Sequence, residues 1–282
     1  MPGFEGRTLV VATMHGKERV IAPLLEERLG VRCVVPEGFD SDRFGTFTRE
    51  VPRAGDALAA ARAKVCAAMQ LVGADLGVAS EGCFGPDPAA PFVSSDLELV
   101  LLRDDRAGRE VRGSFRTFET NVAGAWVQSA EEALAFAARV GFPAHGVIAR
   151  ADDRSAREIC KALDTEEALL GAVRALLGRS PDGRIYLESD LRAHRNPTRM
   201  RAIGRATEAL LENVASCCPR CAAPGFSVVE LRRGLPCAWC RRPTDLPREE
   251  VRRCEPCGAE VSEPSTRYGE ASDPRYCGAC NP

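Results

Sequence analysis

No stretch of this 282-residue chain reaches the roughly 18–20 uninterrupted apolar residues needed to cross a bilayer, so the sequence predicts no membrane partner. Residues Met1 to Arg7 lack the basic-then-apolar order of a secretory signal, and the expectation is a cytoplasmic protein. Charge of one sign is not in excess either. Lys and Arg number 38 against 40 Asp and Glu, a formal net charge of −2, which argues against a polycation that grips nucleic acid by bulk electrostatics. Apolar residues are scarce in one place only. They make up 45% of the chain, enough for a core, yet beyond Ala215 their periodicity stops and Cys, Pro and Arg dominate. The reading is an α/β domain over 1–214 and a small second domain over 215–282.

The second domain is organised by cysteine. Of 13 cysteines, eight form four CxxC pairs: Cys218 and Cys221, Cys237 and Cys240, Cys254 and Cys257, Cys277 and Cys280. A CxxC turn aims two sulfurs at one point, and two such turns complete the thiolate tetrahedron that Zn²⁺ prefers. The spacing predicts a double zinc ribbon holding two Zn²⁺ ions, with iron as the chemical rival. Two pairings are open. Sequential pairing joins the first knuckle to the second and the third to the fourth, and it is the favoured one. A cross-braced pairing joins the first to the third. Four-sulfur sites keep no open position for substrate, so both metals read as structural. Metal binding also supplies folding free energy, on the order of 10 kcal/mol per site. Arg220, Arg232, Arg233, Arg241, Arg242 and Trp239 suit nucleic acid or a protein partner. Cys217 is spare, and Cys33, Cys66, Cys83 and Cys160 read as small buried hydrophobes, with Cys83 placed in a functional loop.

Upstream, apolar runs and helical periodicities alternate. Strands are predicted at Thr8–Thr13, Val31–Val35, Leu76–Ala79, Gly146–Ala149 and Arg184–Leu187. Leu97–Leu102 and Glu110–Phe118 flank a turn at Asp104–Gly108 and read as a hairpin. Helices are predicted at Glu18–Leu29, Asp56–Leu71, Ala130–Val140, Asp164–Leu177 and Pro197–Val214, the first closed by Gly30 and the last opened by Pro197. Polar or Pro/Ala-rich loops fill 36–48 and 85–91. Alternation of this kind implies a mixed, partly parallel sheet flanked by helices.

Between the first strand and helix lies Thr13-Met14-His15-Gly16-Lys17, donors and a cation at a helix N-terminus, which suits phosphate. This segment resembles the opening of the inosine/xanthosine triphosphate pyrophosphatases, with His15 at the usual Asn and Lys17 earlier than the pattern expects. Ala74-Asp75-Leu76-Gly77-Val78-Ala79-Ser80-Glu81-Gly82-Cys83 looks like the A-D-x-x-V-G-x-E-G-G run of their non-canonical purine phosphatase branch. Ala60-Ala61-Arg62-Ala63-Lys64 resembles that branch's G-A-R-N-R, with Ala63 for the Asn. Ala193-His194-Arg195 resembles a Ser-His-Arg before a late helix. The acidic pair of the canonical branch is absent.

The resemblance implies an inosine triphosphatase-like fold, a nucleotide in a central cleft, and Mg²⁺ held by Glu81 and Asp75. It implies phosphate contacts from Thr13, His15, Lys17 and Arg62, with His194, Arg195 and Arg199 closing the site and Lys17 beside the reacting group. The whole chain also looks like an uncharacterised bacterial family that joins such a domain to a zinc-ribbon tail. The expected activity is a Mg²⁺-dependent hydrolase of a nucleoside phosphate. The alternative is a non-catalytic nucleotide- or nucleic-acid-binding zinc-ribbon protein.

Overall fold

The computed structural model describes residues 3–45, 55–87, 90–153 and 158–281. The predicted loops over 36–48 and 85–91 lie in part outside the described residues. The chain divides into two compact units, one of Met1–Arg106 with Arg112–Leu211, the other of Ala107–Val111 with Glu212–Pro282.

The first unit is mixed α/β. Its larger sheet contains β1 (Thr8–Ala12), β2 (Arg32–Val34), β3 (Leu76–Asp87), β4 (Ala90–Asp104) and β5 (Arg109–Thr117) in the order β2-β1-β3-β4-β5. β1 runs parallel to both β2 and β3, and β3 runs antiparallel to β4. Two crossovers make the parallel part, through α1 (Glu18–Leu29) and α2 (Ala57–Val72). α2 lays Ala61, Val65, Ala68 and Met69 on Val10, Ala12, Ala79 and Leu101 of the sheet. The smaller sheet, β6-β9-β7-β8, is antiparallel throughout and consists of β6 (Gly124–Val127), β7 (Val147–Arg150), β8 (Ile159–Cys160) and β9 (Ile185–Ser189). Its apolar face packs on α3 (Ala130–Val140) and α4 (Glu166–Leu177), burying Phe136, Leu169 and Val173 with Ile185 and Leu187. α5 (Pro197–Ala215) follows β9 through the 190–196 segment.

Helix ends follow the capping chemistry of the sequence. The side chains of Asp56, Ser129 and Thr165 accept from the N–H three residues on, satisfying donors that a first helical turn leaves bare. Asn196 does the same for Arg199 N at the start of α5. Gly30, Gly73 and Gly141 close α1, α2 and α3 in the left-handed region.

One expectation needs correcting. The strand predicted to stop at Ala79 runs on to Asp87, so Glu81 and Cys83 are strand residues and not loop residues. Gly82, Gly85 and Pro86 read as punctuation, but the ladder with β4 continues through Glu81↔Leu99 and Pro86↔Ser94.

The second unit is a three-stranded antiparallel meander of β10 (Ser227–Arg233), β11 (Pro247–Arg253) and β12 (Glu260–Pro264), in the order β10-β11-β12. The CxxC knuckles precede β10, join β10 to β11, join β11 to β12, and follow β12.

Candidate functional site

The sheet order reverses direction at β1. The chain moves from β1 to β2 on one side, then crosses to β3 on the other. A crevice therefore opens beyond the C-terminal end of β1, beside the middle of the longer β3, close to where open α/β sheets place their ligands. Thr13, His15 and Lys17 enter it from the β1–α1 turn, Asp42 from a 3-10 turn, Lys64 from α2, Glu81 from β3, and Arg192 and Arg199 from the α5 approach. The crevice is narrow, about 30 Å³.

Its charges are buried and largely paired. Lys64 Nζ lies 2.5 Å from Glu81 Oε1. Arg199 Nε donates to Glu98 Oε1 at 2.6 Å and Nη1 to Leu191 O at 2.6 Å. Lys17 Nζ donates to Ser80 O at 3.0 Å. Burial, with the Arg199 charge as a second cause, lowers the Lys17 ammonium to about 7. On the β4 face that carries Glu98, Asp96 is also buried. Burial and the Glu98 charge push its carboxyl up to about 7. At the mouth, His15 Nε2 meets Asp42 Oδ1 at 2.9 Å, and the His15 and His194 rings stack with centroids 5.1 Å apart. Burial, then the charge of His15, lowers the His194 pKa.

The geometry thus gathers Thr13, His15, Lys17, Glu81, His194 and Arg199 in one place. It does not gather the others. Asp75 precedes β3, at the strand end opposite Glu81, where it pairs with Arg7 at 2.9 Å and with Arg106. Arg7 holds its carboxyl below the ordinary range. Arg195 turns to Asp164 and to Leu163 O. Arg62 is exposed on α2 and does not line the crevice. Asp75, Arg195 and Arg62 are therefore corrections to the predicted set.

Sequence reasoning missed Lys64 and Glu98 as site residues, and both left a signal. Lys64 interrupts the Ala60, Ala61, Val65, Ala68 stripe of α2. Glu98 shares the register of the buried Val100 and Leu102 on β4. A charge on a core-facing register needs a partner.

In the second unit, sulfurs meet in two groups: Cys218, Cys221, Cys254 and Cys257, and Cys237, Cys240, Cys277 and Cys280. Within each group the ligand atoms all lie within 4.8 Å of one another. The Sγ–Sγ separations include 3.5 Å for Cys221 to Cys254 and 3.6 Å for Cys240 to Cys277. Four thiolates at the usual Zn–S distance stand about 3.8 Å apart on a tetrahedron, so both donor sets suit Zn²⁺. No disulfide competes, since a bonded pair needs about 2.05 Å.

This is the cross-braced pairing, and it overturns the favoured sequential one. The reason is the meander. The 15-residue spacer between the first two knuckles is not a loop but contains β10, and seven strand residues span about 23 Å. Knuckles one and three share one end of the sheet, and knuckles two and four the other.

The first three knuckles close the same way. Cys218 O accepts from Ala222 N, Cys237 O from Arg241 N, and Cys254 O from Gly258 N, at 2.9–3.0 Å. The donor residue is left-handed in all three, with φ of 56°, 59° and 67°.

Over residues 64–282 the sequence matches the model of DUF6671, a domain of unknown function. The chain belongs to the DUF6671 family. The DUF6671 match takes in Lys64, Glu81, Glu98, Arg199 and all eight paired cysteines, and leaves Thr13, His15 and Lys17 upstream. No curated protein matches the chain.

Several arginines of the DUF6671 cysteine region face carboxylates. Arg232 pairs with Glu230, Arg233 with Asp245, Arg253 with Glu260 and Arg267 with Glu250. Residues 212–282 hold ten arginines and ten carboxylates, and each four-thiolate group would add two negative charges on binding Zn²⁺. Trp239 and Tyr276 are exposed beside the second group. No helix among the described residues is long and apolar enough to cross a membrane.

Proposed function

We propose that the α/β unit binds and hydrolyses a nucleoside phosphate, and that the two cysteine groups hold structural Zn²⁺ ions. The observation that carries the first part is the convergence of Thr13, His15, Lys17, Lys64 and Arg199 around Glu81 at the reversal of the sheet order. Clustered cations at the C-terminal ends of parallel strands suit an oxyanion. The likeness to inosine/xanthosine triphosphate pyrophosphatases rests on the sequence motifs alone.

Lys17, Lys64 and Arg199 would balance phosphate charge. His15 and His194 would flank it at the mouth. Glu81 would orient the attacking water, with Lys64 setting its position. Among the described residues, the groups able to surround a metal with three or more His, Cys, Asp or Glu side chains are the two cysteine groups. Mg²⁺ would therefore arrive on the substrate, held by phosphate oxygens and one or two carboxylates, here Glu81 and Asp42. When bound it would neutralise phosphate charge.

One observation favours the non-catalytic alternative. Glu81 is already tied to Lys64 at 2.5 Å, an arrangement that serves binding as well as it serves turnover. The deciding assay is phosphate and pyrophosphate release from a panel of canonical and deaminated nucleoside triphosphates with Mg²⁺. The expected result is turnover that falls roughly 100-fold or more in Glu81→Ala. Calorimetric binding of a nucleotide without turnover would establish the alternative. Neither binding nor turnover would sink both.

A further inference from the structure

A cavity of about 790 Å³ opens in the cysteine unit, between the second knuckle and the segment after β12. Leu235, Pro236, Pro243 and Pro264 give it apolar walls, and Arg241, Arg248 and Glu270 also line it. Neither guanidinium has an ion-pair or hydrogen-bond partner among the described residues. That sets them apart from Arg232, Arg233, Arg253 and Arg267, which face carboxylates.

Arg241 is unusual in a second way. It stands at the left-handed closing position of its knuckle, with φ 59°. At the equivalent position the third knuckle has Gly258 and the first has Ala222. A residue with a Cβ is strained in that conformation, which glycine adopts freely. Knuckle closure itself needs only the N–H that donates to Cys237 O. A long cation at this strained position, lining an apolar cavity beside a second uncommitted cation, has the character of a ligand contact.

We infer that this cavity docks an acidic peptide segment, with a carboxylate on Arg241 and Arg248 and an adjacent apolar side chain on the Leu235 and proline walls. Charge complementarity selects the carboxylate, because two guanidiniums match its geometry and lack partners. The surroundings disfavour a nucleic acid strand. No aromatic ring lines the cavity for a base to stack on, Glu270 opposes a phosphate run, and the metal-loaded unit carries net negative charge.

The test uses the full-length, zinc-loaded protein. Panning a random twelve-residue phage library is expected to enrich Asp or Glu next to Leu, Ile, Val or Phe. Synthetic copies of the enriched peptides, followed by fluorescence anisotropy, should bind at least roughly tenfold more weakly to Arg241→Gly and to Arg248→Ala, a loss of about 1.4 kcal/mol. Arg241→Gly should keep two zinc ions and an equal or higher melting temperature, because glycine relieves the left-handed backbone. Ala222→Gly, with the same backbone relief far from the cavity wall, should leave affinity unchanged. A readout in which stability holds or rises while binding falls separates a ligand contact from a structural role. The inference is overturned by absent enrichment, by enriched peptides without acidic residues, by unchanged affinity in both arginine variants, or by displacement of the peptide with oligodeoxythymidine.

Discussion

At Gly82, β3 has to serve two charge pairs at once. Its neighbour Glu81 points to Lys64 on one face of the sheet. On the other face, a Cβ at position 82 would fall on Glu98 Oε1 and on Arg199 Nη2. The missing side chain is what lets the Glu98–Arg199 pair lie flat on the strand, and although both contacts are ends of long side chains, both are buried and committed to each other, so neither can swing into solvent. Gly82→Ala is therefore expected to break a buried ion pair and lower the stability of the α/β unit by about 3–5 kcal/mol. The chain has two tryptophans, Trp126 in this unit and Trp239 in the other. Urea unfolding followed by Trp126 fluorescence in a Trp239→Phe background measures the loss, and an unchanged midpoint would contradict it. The Glu81-Gly82 pair was legible as a site signal in the sequence. What the glycine accommodates was not, because Glu98 and Arg199 lie 16 and 117 positions further along the chain.

Among the elements, helices were easier to read than strands. α1 and α3 fall at their predicted bounds because caps and left-handed glycines are local signals. β6 and β8, of four and two residues, carry too little pattern to find. β10 to β12 were hidden by composition, since charged residues such as Arg232, Arg233, Glu249 and Glu250 crowd them in pairs and break the apolar period. Missing β10 turned a strand into a spacer and made sequential metal pairing look natural. The cross-brace has a direct check. Cys218→Ala and Cys254→Ala should each reduce bound zinc from two ions to one, and on cadmium substitution both should remove the same ¹¹³Cd resonance. Cys237→Ala should remove the other resonance. If Cys218→Ala and Cys237→Ala erased the same signal, the pairing described above would be wrong. Iron in place of zinc would show in the same metal analysis.

Taken whole, the molecule is nearly neutral, yet its α/β unit buries titratable groups whose preferences run against charge. Asp96 titrates near 7 in the fold and near 4 in an unfolded chain. Between those values the folded state holds the extra proton, so stability falls as pH rises from about 4 to 7. Lys17 titrates near 7 in the fold and near 10.5 unfolded. Between these the unfolded state holds the extra proton, so stability rises from about pH 7 to 10. The two contributions together give a minimum near neutrality. Asp96→Asn should flatten the acid limb and Lys17→Met the alkaline limb. Urea midpoints against pH, read at Trp126 so that metal loss from the other unit does not enter, would show this. Parallel curves for wild type and Asp96→Asn would refute it.

The interleaved cysteine groups also impose an order of assembly. Although the four knuckles look in sequence like one unit copied twice, a chain emerging from synthesis cannot finish either half of that apparent repeat by itself. The first metal cage stays open until Cys257 has been made, by which point both knuckles of the apparent first copy are already exposed. The second waits for Cys280. Each cage therefore closes across a knuckle that belongs to the other, so the two are threads of a single weave and not two independent clasps.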